Sequence, residues 1–281
     1  MTPSRPRNTY STTRATDLLA TAQGTRAELL TPRTPLAVSP DRIGEKHLAH
    51  VITLRELHPL DILVLRDLVR FGVLADDQIQ RRYGNTAIST DRLALLESGG
   101  FINKPRSDVI QGSVIYTATR YGTIITRCGL GWRTPLEGHL AHDIAVVDLA
   151  DYLLDHEPDA DWKTEREVGR VLRAVGPAMR ARGLPKERRH TPDGLLLTGG
   201  KRLAIELEHS DKGEQRYIGI CRWFAREVRL HGVRWYVDNP KIIARILKAN
   251  RQHGFDRDVD VTVERFPPGI VVRNQARRWT P

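Results

Sequence analysis

Apolar residues fall into two blocks with different periods. From Leu57, Pro59 is placed to open a helix, and Ile62, Leu63, Leu65, Leu68 and Val69 recur at helical spacing up to Phe71-Gly72. Asp76 can cap a second, shorter helix through Ile79 and Tyr83. After Gly84-Asn85 a third is predicted from about Thr86 to Ser98, stopped by Gly99-Gly100. Two short runs, Phe101 to Lys104 and Val114 to Thr117, then read as a hairpin. Three helices and a hairpin predict a winged helix-turn-helix.

The second block starts with an amphipathic helix, His139 to Leu154, followed by a strand predicted at Trp162 to Val168. Further strands are predicted at Asp193 to Leu197, Leu203 to Glu208 and Val233 to Asp238. A helix over about Glu214 to Leu230 separates the last two, and another follows Pro240. That order predicts a mixed sheet covered by helices on both sides. The expected fold class is therefore α+β or α/β, with a winged helix over 51–130 and a helix-flanked mixed sheet over 131–265. Residues 1–50, rich in Thr, Ser, Arg and Pro, read as a disordered basic arm, and 266–281 as a basic tail.

Charge changes the picture next. The 281 residues carry 44 basic and 34 acidic side chains, a net charge of +10, and 36 of the 44 are arginine. Such a surplus favours a polyanionic partner, because basic side chains that neutralise phosphates release condensed counterions. A genome that inflates arginine is the competing explanation. Two cysteines, Cys128 and Cys221, are too few for a disulfide framework or a thiolate zinc site, and no apolar run is long enough to cross a bilayer. A cytoplasmic protein that avoids membranes is expected.

If the winged helix docks on double-stranded DNA, its third helix offers Ser89, Thr90 and Arg92 to the major groove. Arg81, Arg82, Lys104 and Arg106 are then placed to hold phosphates. The most basic segment, Gly169 to His190, has seven cations, Arg180, Arg182, Arg188 and Arg189 among them, against Glu187 alone. It is either a loop that guides a phosphate backbone or a solvated insertion.

The candidate chemistry lies in TPDGLLLTGGKRLAIELEHSDK, Thr191 to Lys212. A two-residue Gly199-Gly200 reversal pairs Thr198 with Lys201, which sets Asp193 opposite Glu206 and leaves Glu208 on the same side. Like charges so placed want a proton or a cation; either Mg²⁺ (or Mn²⁺) or neighbouring basic side chains would satisfy them. His139 and His142, three apart on one helix, read as helix packing or interfacial polar contacts, and His190 and His209 flank the acidic face, where they could assist proton transfer but have no assigned role.

Pro192-Asp193, twelve residues, then Glu206-Leu207-Glu208 resembles the PD-(D/E)xK nuclease motif. The resemblance implies metal-binding roles for Asp193 and Glu206, with Glu208 in the slot that usually holds lysine. Lys212 would then be a displaced ammonium, and Glu165, on the first predicted strand, an additional metal acid. At the level of the whole chain, LRELHPLDILVLRDLVRFGVLADDQI, VIYTATRYG, HLAHDIAVVDLA and PDGLLL with AIELEHSDKGEQRY resemble the replication-relaxation family of actinobacterial plasmids and integrative elements. That implies a role in replication, DNA relaxation or transfer of a mobile element, with replication or transfer proteins as partners. A DNA-nicking enzyme and a non-cleaving transcriptional or copy-number regulator, whose second domain forms a homodimer or recruits a partner, both fit this sequence.

Overall fold

The computed structural model describes residues 57–84, 88–105, 113–181 (backbone only over 175–181), 190–227, 229–255 and 259–272. The predicted N-terminal arm and the basic tail beyond residue 272 lie outside the described residues. Among the described residues the protein is mixed α+β, with two sheets.

The N-terminal region begins with α1 (Pro59–Phe71), which starts on a reciprocal cap: Pro59 supplies the first helical turn and Asp61 accepts the His58 N–H at 2.7 Å. A two-residue strand, β1 (Leu74–Ala75), leads into α2 (Asp76–Tyr83). The third helix, α3 (Thr90–Ser98), starts later than its apolar spacing suggests. Ser89 is the reason: its hydroxyl accepts the Arg92 N–H and caps the helix there. β2 (Ile102–Asn103) and β3 (Ile115–Ala118) pair antiparallel, and β1 joins them to give the order β1-β3-β2. Val64, Leu65, Leu68, Ile79, Leu93 and Phe101 form the core of this region. A short helix, α4 (Arg120–Thr126), closes it.

The second region is a five-stranded sheet of order β4-β5-β6-β7-β8. α5 (Leu140–His156) precedes β4 (Asp161–Thr164), and α6 (Glu165–Ala181) follows it. β5 (Gly194–Thr198) and β6 (Lys201–Glu208) are antiparallel, whereas β7 (Gly232–Val237) and β8 (Asp260–Arg265) run parallel to β6. α7 (Glu214–Arg226) and α8 (Pro240–His253) make the crossovers. Alternation along β6 splits the core: Leu203, Ile205 and Leu207 pack with α5, and Ala204 packs with α7 and α8. Gly194 is required because a Cβ there would overlap the Trp162 ring.

The strand predicted over Trp162 to Val168 is corrected. It ends at Thr164, and Glu165 is the first residue of a helix, not a strand residue. Thr164 and Glu167 form a reciprocal cap, with the Thr164 N–H donating to Glu167 at 2.9 Å and the Glu167 N–H to Thr164 Oγ1 at 3.4 Å. The basic segment predicted as a loop from Gly169 is helical as far as Ala181, and Arg180 falls in its last turn. Arg106, Arg182, Arg188 and Arg189 lie outside the described residues.

The two regions are packed together. Val73, Ala75 and Ile115 share a buried cluster with Leu140, Ala141 and Ile144 of α5. Arg70 of α1 donates to the Trp162 carbonyl at 2.7 Å and pairs with Glu167 at 3.3 Å.

Candidate functional site

The hairpin register places the acids. Thr198 pairs with Lys201 and Gly194 with Ile205, as a two-residue turn with both glycines at positive φ (52° and 75°) dictates. One step beyond the ladder, Asp193 sits opposite Glu206. Its carboxylate turns back over the strand end, where Oδ2 accepts the Leu207 N–H at 2.8 Å.

Each acid has a basic partner from a different element. Asp193 Oδ1 lies 3.1 Å from His142 Nε2 on α5. Glu206 Oε1 is 2.7 Å from Nε2 of His190, just before β5. Glu208 Oε2 is 2.7 Å from Nζ of Lys212, in the turn before α7, while its Oε1 accepts from Ser210. Glu206 and Glu208 are both 1% exposed, so neither is an ordinary solvated surface acid. His190 is held by edge-on contacts with Trp223 and Phe224, ring centroids 6.0 and 5.5 Å away.

Burial and charge shape the protonation states. Burial alone would depress His142, yet the Asp193 carboxylate raises it to about 9. His190 is raised by Glu206 against the same opposing effect of burial. Asp193 is lowered despite burial, by His142 and the Leu207 N–H. Glu206 is raised by burial, with Asp193 adding to it and His190 opposing. Burial also lifts Asp143, next to His142, to about 6. At neutral pH His142 is therefore an imidazolium beside the Asp193 carboxylate.

His142, Asp143, His190, Asp193, Glu208 and Lys212 line one cavity of about 520 Å³. Glu206, buried and bonded to His190, is not among the residues that line it. Among the described residues, no group of three or more His, Cys, Asp or Glu side chains is arranged to hold a metal ion. Asp193 and Glu206 are a two-carboxylate set, which suits Mg²⁺, an ion that keeps several waters and takes further oxygens from substrate phosphate. Glu165 also lines the cavity but is exposed, 3.8 Å from Arg133.

The chain matches no family model, no curated protein and no solved structure.

The other sequence-predicted positions divide. Arg82 pairs with Asp67 at 2.5 Å and Asp151 at 2.7 Å, and stacks over Phe71. Arg92 grips the buried Asp61 through two nitrogens, Nε at 2.9 Å and Nη2. Both are engaged in ion pairs and only partly exposed. Arg81, half exposed, binds Asp77 at 2.8 Å and also Asp148. Lys104 pairs with Glu97 at the surface, and Ser89 and Thr90 are exposed at the start of α3. His142 and His190 are the partners that sequence reasoning left without a role. The signal for His190 was its place three residues before Asp193. For His142 none exists locally, because 51 residues separate it from its acid.

Proposed function

We propose that the chain acts on DNA, through a PD-(D/E)xK-like centre built on the β5–β6 hairpin and a winged helix formed by α1 to β3. Mobile-element replication or transfer, implied by the sequence resemblance, is the setting that fits this pair of modules. One observation carries the reading. Lys212, four residues beyond Glu208, brings an ammonium into the field of Glu208, Glu206 and Asp193, and so supplies the cation that the motif lacks at Glu208. The strand order, two antiparallel steps followed by a parallel one through α7, agrees with the nuclease core, and the β1-β3-β2 sheet beside three helices agrees with a winged helix.

Asp193 and Glu206 would hold Mg²⁺ or Mn²⁺, which when bound neutralises phosphate charge and makes water more acidic. The chain's own part is positional. His190 exposes or covers Glu206, Lys212 steadies the nucleophile's side of the phosphate, and His142 fixes the Asp193 carboxylate with the help of the Leu207 N–H.

A second reading, a non-cleaving regulator, is favoured by a different observation: all three acids already have basic partners. Supercoiled plasmid with Mg²⁺ or Mn²⁺ separates the two. Nicking lost in Asp193→Ala and in Glu206→Ala supports the enzyme. DNA binding without nicking supports the regulator.

A further inference from the structure

Trp132 is half exposed, at 50%, in the stretch that joins α4 to α5. It is not a stray surface residue. Arg166 of α6 donates to the Gly131 carbonyl and to the Val69 carbonyl, so the backbone next to Trp132 is tied to two helices. Trp132, Arg133, Arg166 and Arg173 line a second cavity of about 320 Å³. Its wall is shared with the carboxylate cavity: Arg133, Glu165, Arg166 and Thr191 line both. An aromatic side chain and the guanidiniums of Arg133 and Arg173 thus line a groove that adjoins the carboxylate cavity.

We propose that this groove binds single-stranded DNA, with an unpaired base stacked on Trp132 and the arginines beside it tracking the backbone toward Asp193. The last step rests on the nuclease-type reading above; the stacking site does not. Duplex DNA keeps its base faces inside the helix and shows only edges in its grooves, so an exposed indole finds no partner there. An unpaired base presents its whole π face, and stacking on an aromatic side chain is tolerant of sequence. Arg173 and Arg133, the latter only 3.8 Å from the exposed Glu165, suit phosphate beside it, whereas Arg166 is held by the Gly131 and Val69 carbonyls and braces the frame. The groove therefore selects strand state rather than base identity.

The test uses the full chain and a labelled oligothymidine, compared with a duplex of equal length and with a strand of equal length that lacks bases, all at one salt concentration. Trp132→Ala is expected to weaken oligothymidine binding roughly five- to 100-fold. Duplex binding and binding of the base-free strand should stay within about twofold, and Trp132→Phe should retain most of the affinity for oligothymidine. Equal oligothymidine binding by wild type and Trp132→Ala overturns the proposal. So does a Trp132→Phe variant as weak as the alanine variant, or a matching loss on duplex. If plasmid nicking survives Asp193→Ala while Trp132→Ala still loses single-strand affinity, the nuclease-type reading fails and the stacking site stands.

Discussion

Both regions of the molecule bury carboxylates, but they satisfy them with different cations. In the helical region Asp61 and Asp67 are held by Arg92 and Arg82, whose guanidiniums stay charged at any pH a protein meets and bind through several fixed N–H groups. In the sheet region two of the three acids are held by imidazoles, single-pronged partners that lose charge within the accessible pH range. The first set works as architecture that cannot be exchanged. On the function proposed above, the second is a set of contacts that a divalent ion would replace.

The largest break in this comparison is expected at Arg92. Arg92→Ala leaves Asp61, wholly buried, without its counter-charge, and should cost about 3–5 kcal/mol in denaturant unfolding. Added Mn²⁺ should restore none of it. Next comes His190→Ala, which strips the buried Glu206 of its partner and should cost about 2–3 kcal/mol. Here Mn²⁺ is expected to recover most of the loss, because the ion binds the folded state at the vacated acid. Recovery in the Arg92 variant, or none in the His190 variant, would erase the distinction between the regions.

A comparable effect follows from pH. His142 titrates near 9 when folded, against an ordinary 6.5 when unfolded. The stability it contributes is therefore fully present below about pH 6.5 and is lost as pH rises toward 9. In the presence of chelator, stability should fall across that window by on the order of 3 kcal/mol, and His142→Gln should flatten the fall. The smallest effect is expected for Lys104→Ala. Its partner Glu97 is a surface acid, and the midpoint of unfolding should not move measurably.

How much of this was legible in advance depended on whether the signal was local. Period-two alternation and Gly199-Gly200 carried the β5–β6 register, down to Asp193 opposite Glu206. α6 was missed because Gly169, Gly176 and Pro177 argue against a helix, although the cap formed by Thr164 and Glu167 was there to be read. β8 escaped because four of its six residues are exposed and only Val261 and Val263 are apolar. The commitments of Arg82 to Asp151 and of Arg92 to Asp61 span 69 and 31 residues, and no spacing rule along the chain announces them. For the same reason His142 looked like a packing residue until the fold brought it to Asp193.

Calorimetric titration of the chelator-treated protein with Mn²⁺ at pH 8 tests the exchangeable set most directly. The account predicts one saturable site, lost in both Asp193→Ala and Glu206→Ala and tightened in His190→Ala. A titration with no site, or a site that survives in both acid variants, would contradict it.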